Sequence, residues 1–218
     1  MPFSFLQIIV FFVWALLSAA LEVHIEGSRG WAASLPTWRR TQGGRLFRLV
    51  QVIFFGGRPV TGYHGCMFTL QLAAFHLCYF QGTPFTWQNE SMTLALFFLV
   101  CPTWDFLWFV LNPAYGLKRF KKEEIEWHDG RWWVFGLFPV DYAVAGLISL
   151  AFMLGAFRPD ADILNGINLV ASCFLWAVLL LLTTDVLGPW YRARRVELLA
   201  GNEPPIVESN VDDVIASR

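Results

Sequence analysis

The chain has 218 residues, 56% of them apolar and only 15% charged, with a net charge of −1 at neutral pH. Soluble domains average roughly 25% charged residues, so this balance indicates a membrane protein. A nucleic-acid-binding role is excluded by the lack of a basic excess.

Five apolar runs are long enough to span a bilayer, which needs about 20 residues. They cover 3–21, 60–80, 92–111, 134–157 and 163–187. The predicted fold is therefore an all-α integral membrane protein, a bundle of five transmembrane helices within a single domain, 1–200. The first run ends in Leu17-Ser-Ala-Ala, which resembles a signal-peptide cleavage site. No Lys or Arg precedes it, however, and a secretory signal begins with a basic segment. It is read as a retained span.

Between the first two runs, 45–55 places Leu46, Leu49, Val50 and Ile53 on one helical face. This pattern predicts a short helix lying in the headgroup plane, with a ragged start to the second span as the alternative. Pro139 lacks a backbone donor, so it either kinks or starts the fourth helix. Ala145, Gly146 and Ser149 in that helix are small enough for close packing. From Gly201 the tail is polar, contains Pro204 and Pro205, and is predicted to be disordered, 201–218. The four cysteines, Cys66, Cys78, Cys101 and Cys173, lie in apolar runs without a C-x-x-C pair. They read as small buried hydrophobes.

Basic residues set the orientation. Every Lys and Arg except Arg158 falls in the loop before the second run, the loop after the third, or the tail. The positive-inside rule then predicts an outside N-terminus and a cytosolic C-terminus. Trp31, Trp38, Trp127, Trp132, Trp133 and Trp190 cluster near the same ends, as an interfacial aromatic belt would.

Polar groups gather at that cytosolic end. Asp105 lies inside the third run, and Cys101, Asp105, Trp108 and Asn112 share one helical stripe. A carboxylate at membrane depth costs on the order of 2.5–3.5 kcal/mol on insertion scales, so it has a partner or a task. Asp141 is predicted about two turns inside the fourth run, at a similar depth. Glu22, His24 and Glu26 close the first run. Tyr63 and His64 open the second, and His128 follows the third. Intramembrane acids face the bundle interior or a water-filled cavity, which predicts a cytosolic-side pocket floored by Asp105 and Asp141.

In the leading functional reading, the chain is a membrane-embedded enzyme acting on a lipid-soluble substrate. Asp105, Asp141, His64 and His128 are then the catalytic candidates, and Asn112, Tyr142, Trp108 and Tyr63 the substrate-binding ones. A metal ion is a further option, with His24, Glu26, His64 and His128 as candidate ligands, although no H-x-x-x-H or H-E-x-x-H spacing is present. Structural pairing of Asp105 with an Arg or a Trp indole is the alternative to catalysis. Two other functions remain open: a structural or assembly subunit, with a partner subunit or a second copy beside it, and a small carrier or proton-coupled transporter. Against the last stands the missing acidic set in the outer half. Membrane lipids surround the protein in every reading, and plasma and organelle membranes are not distinguished.

Overall fold

The computed structural model describes residues 5–55, 57–128, 132–156 and 163–201, without the side chains of 53, 54, 128, 163–166, 200 and 201. Helix α1 covers Phe5–Glu26 and α2 covers Arg45–Phe55. Helix α3 covers Gly62–Phe80, α4 Trp87–Leu111 and α5 Val140–Ala156. Helix α6, Ile163–Leu182, runs through a π turn at Thr183–Leu187 into α7, Gly188–Gly201. Three 3-10 turns, Leu117–Arg119, Lys122–Glu124 and Glu126–His128, and two short antiparallel ladders complete the described elements. Strand β1 (Arg39–Arg40) pairs with β2 (Val60–Thr61), and β3 (Trp133–Val134) with β4 (Phe138–Pro139).

Local chemistry sets the helix ends. Thr61 caps α3 by accepting from the His64 N–H at 3.1 Å, and Thr86 caps α4 by accepting from Asn89 N–H at 3.2 Å. A side-chain oxygen at this position satisfies a backbone donor that the helix itself cannot. Helix α4 stops at Asn112, the residue before Pro113, where the following ring disfavours helical backbone. Pro139 ends β4, and α5 starts at the next residue, so this proline precedes the helix and does not kink it.

Among the described residues, three helical segments are long and apolar enough to cross a membrane: α1, α4 and the run Ile167–Leu199. Helix α5, at 17 residues, is shorter, and α3 carries His64, Gln71 and His76 among its 19. The last helix continues well past residue 187, where the apolar pattern ends, because α7 adds a polar extension to the apolar α6.

Helix α4 is central, with α1 and α5 packed along it. Phe12, Ala15, Ala19 and Val23 of α1 meet Leu96, Val100, Leu107 and Leu111 of α4 in one core, with Trp176 of α6 closing it. Small residues such as Ala15 and Ala19 let the backbones approach. Ser149 of α5 donates to the Ala95 carbonyl of α4 at 2.7 Å, whereas Gly146 faces open space and makes no such approach. Between α1 and α3, Gln71 accepts from the Trp14 indole and donates to Ser18 Oγ at 3.1 Å. Leu6, Leu17, Leu70, Leu147, Val170 and Leu181 point outward and are exposed, the arrangement of a bundle whose solvent is lipid. Cys66 and Cys173 lie on such outward faces and not in the core, a departure from their sequence reading.

Candidate functional site

Five parts of the chain converge at one end of the bundle. Helix α1 contributes Glu22 and Glu26, one turn apart at its C-terminal end. Helix α3 contributes Tyr63 and His64 from its first turn, and α4 contributes Trp104 and Asp105. Helix α5 contributes Asp141 and Tyr142, also from its first turn. The connection from α1 to α3 adds Trp31 and Arg58. Glu22, Trp31, Arg58, His64, Trp104, Asp105, Asp141 and Tyr142 line a single cavity of about 80 Å³ together with the apolar side chains of Phe68, Phe97, Phe98, Cys101, Pro102 and Ala145. This volume admits a few waters or one small group. The cavity thus joins three carboxylates, Glu22, Asp105 and Asp141, to a lining that is mostly aromatic and apolar.

The two halves of the polar lining have distinct geometry. On one side Tyr142 donates its hydroxyl to Asp105 Oδ2 at 2.5 Å, and Arg58 Nη2 meets Asp141 Oδ2 at 3.1 Å. Asp141 sits in the first turn of α5, where the helix dipole also favours negative charge. It is not two turns deep in a span, because 134–139 form a turn and strand ahead of the helix. On the other side, His64 Nε2 lies 3.7 Å from Glu26 Oε1 and 3.9 Å from Glu22 Oε1. Its Nδ1 is 2.7 Å from Thr61 Oγ1, which fixes the ring. Tyr63 donates to Glu22 Oε1 at 3.3 Å. Glu22, Glu26 and His64 are each at least 95% buried.

Trp31 joins the halves. Its ring stacks on His64 with centroids 4.1 Å apart, and the Arg58 guanidinium carbon lies 3.9 Å from its centroid. Its indole donates to the Pro59 carbonyl at 3.1 Å. Trp31 and the following Ala32 both have positive φ, at 55° and 52°, a conformation that L-residues adopt at a cost. Two anchors hold them there. The Ala32 N–H donates to Glu26 Oε1 at 2.5 Å, and Arg39 donates to the carbonyls of both residues. Strain of this kind persists only where surrounding contacts over-determine it, and it concentrates at functional sites.

The structure brings Asp105, Asp141, His64, Tyr63, Tyr142 and Glu26 to this cavity or its rim. His24 lies elsewhere. It meets Tyr191 at 3.2 Å and Arg195 at 2.9 Å, because two residues along a helix from Glu22 or Glu26 turn to another face. Asn112 is the C-cap of α4, donating to the Gly27 carbonyl at 2.8 Å and accepting from Ala114 N–H at 3.0 Å. Trp108 is buried against Phe109, Tyr115 and Trp127, below the cavity and not in its wall. The side chain of His128 lies outside the described residues, as does the tail beyond Gly201.

Arg58 and Trp31 went unrecognised in the sequence reading as parts of the site. Arg58 carried one signal: it is the basic residue nearest the start of the second apolar run, where a buried acid would find a partner. Glu22 was visible as the i, i+4 mate of Glu26. Comparison of the chain with protein families, with curated proteins and with solved structures returns no match, so geometry alone carries the functional argument.

Proposed function

We propose that this membrane protein is an enzyme that carries out proton-transfer chemistry on a lipid-soluble substrate, entered from the cytosolic end of a five-span bundle. One observation carries the reading. Asp105 and Tyr142 lie in hydrogen-bond contact in the lining of a cavity that Phe68, Phe97 and Phe98 also line. An aromatic lining receives an apolar substrate, and a carboxyl–phenol pair beside it donates or takes a proton. Asp105 is assigned the proton transfer, and Tyr142 holds its carboxyl in position. Arg58 and Asp141 fix the charge at the cavity rim, and His64 and Tyr63 complete the polar wall.

The test is identification of the cavity's occupant in protein purified from native membrane, followed by turnover of that compound with Asp105→Asn. The expected result is a co-purifying apolar lipid that wild-type protein converts and the variant binds but does not convert. A variant that turns over at the wild-type rate would overturn the assignment.

A structural or assembly subunit is the second reading. The partly buried Arg58–Asp141 ion pair favours it, since such pairs also serve to fix one arrangement of helices. In that case Asp105→Asn alters partner assembly and no bound lipid is converted.

A further inference from the structure

We infer that Glu22, Glu26 and His64 form a binding site for one divalent transition-metal ion, with an open coordination position facing the cavity. One ligand atom from each residue lies within 4.8 Å of the other two, and all three residues are buried. Two carboxylate oxygens and one imidazole nitrogen suit zinc, manganese or ferrous iron, and the set contains no thiolate that would select a softer ion. Ligand atoms on such a metal, at about 2.1 Å from it, stand roughly 3.0–3.4 Å apart. The observed 3.7 and 3.9 Å from His64 Nε2 to the two carboxylates therefore need to close by only about half an ångström.

Three independent features point to a ligand at this place. First, the charges do not balance. Two cations, Arg58, which pairs with Asp141, and Arg39, which lies near Glu26, stand against four carboxylates, Glu22, Glu26, Asp105 and Asp141. Buried carboxylates need a proton or a cation, and one divalent ion answers the two charges left over. Second, His64 is held as a metal-binding imidazole is held. Nδ1 is engaged by Thr61 Oγ1 at 2.7 Å, which leaves Nε2 directed between the carboxylates. Third, a buried donor lines the same cavity without a hydrogen-bond partner among the described residues: Nη1 of Arg58, a residue more than nine-tenths buried. A donor so placed takes an oxygen bound at the metal's fourth position, from water or from a substrate hydroxyl, carbonyl or phosphate. Three protein ligands and one exchangeable oxygen is the arrangement of a catalytic rather than a structural metal site.

This inference requires the cavity to be a ligand site, as the proposed function does, but not that Asp105 transfers a proton. The experiment uses full-length protein in detergent, treated with chelator and then titrated separately with Zn²⁺, Mn²⁺ and Co²⁺. Binding is followed by calorimetry, by the visible spectrum of Co²⁺ and by the melting temperature. Wild-type protein is expected to bind one ion per chain, with a raised melting temperature and the Co²⁺ spectrum of an oxygen–nitrogen site. Glu22→Gln, Glu26→Gln and His64→Asn are each expected to abolish that spectrum. Thr61→Val is expected to weaken affinity by about tenfold to a hundredfold through loss of the imidazole's support. His24→Ala, on the other face of α1, is expected to leave the one-ion stoichiometry and the Co²⁺ spectrum unchanged. Absence of stoichiometric binding to folded wild-type protein overturns the site, as does binding that survives all three ligand substitutions. A lipid turned over by metal-free protein would overturn the metal's catalytic place while leaving the proton-transfer reading intact.

Discussion

Tyr142 of α5 donates its phenol hydrogen to Asp105 of α4 at 2.5 Å, a polar link across the pair of helices that pack most extensively. A hydrogen bond to a carboxyl in a low-dielectric site is strong, and each partner is expensive to leave alone. Tyr142→Phe and Asp105→Asn should therefore be non-additive, with a coupling of about 1–3 kcal/mol. Thermal unfolding in detergent of both single variants and the double variant measures it. Additivity to within about 0.5 kcal/mol would mean that the two groups do not meet.

Arg58 and Asp141 form an ion pair at 3.1 Å, the guanidinium buried and the carboxylate partly exposed. Removing one partner of a partly buried pair costs about 1–3 kcal/mol, whereas replacing both with apolar groups of similar size is often neutral or better. Arg58→Met alone should lower stability by that amount. Arg58→Met with Asp141→Leu should recover most of it. A double variant as unstable as the single one would show that Arg58 is held by its stack on Trp31 and its bond to the Phe55 carbonyl, with the ion pair secondary.

The backbone at Ala32 supplies a third test. Its φ of 52° costs an L-residue about 1–2 kcal/mol, and glycine pays no such penalty. Glycine's greater chain entropy returns roughly 0.5–1 kcal/mol of that advantage. Ala32→Gly should leave the melting temperature unchanged or slightly higher, in contrast to most substitutions at a fully buried position. Ala32→Val, branched at the same φ, should destabilise by about 2 kcal/mol. Equal losses for both variants would remove backbone strain as the explanation.

Orientation has a direct measurement. The loop between α3 and α4 carries no Lys or Arg, while the segment after α4 carries Lys118, Arg119, Lys121 and Lys122. A cysteine placed at Thr83 should react with a membrane-impermeant reagent added on the side of the membrane away from the cytosol, and one at Lys122 should not. The opposite pattern would place the cavity mouth on the outer side and overturn the cytosolic entry.

The acids of the site were legible in the sequence because apolar runs tolerate so few charges. Asp105 inside such a run is conspicuous wherever the helix boundaries fall. Depth was less legible. Asp141 reads as two turns inside a span, since Trp133, Val134 and Phe138 are as apolar as membrane helix, yet they form a turn and a two-residue ladder. Hydrophobicity alone does not separate short strand from helix. The stripe through Asp105, Trp108 and Asn112 has the right period, but α4 ends at Leu111, so Asn112 leaves the helical path and caps it. Arg58 and Trp31 were beyond periodicity altogether. Their positions depend on a loop whose left-handed residues are anchored by Glu26 and Arg39, contacts between residues far from any regular pattern.

The π turn at Thr183–Leu187 acts on the bundle as a screw adjustment. One additional residue in a helical turn rotates everything after it by about 100° relative to an uninterrupted α-helix. The residues so rotated are Tyr191, Arg192 and Arg195, which reach the end of α1 and the last carbonyls of α4: Arg192 donates to Val110 O, and Arg195 to Val23 O at 3.3 Å. Gly188 permits the fit, since a methyl group there would stand 2.6 Å from Val110. Deleting one residue from the turn would thus do more than shorten the helix. It would swing a guanidinium clamp out of register with the carbonyls it closes and leave the ends of α1 and α4 without the cations that neutralise their dipoles. Glu26 closes α1, and Glu22 and Asp105 lie one to two turns before the ends of α1 and α4, so a bulge far along the chain sets how firmly the acids on the first and fourth helices are held together.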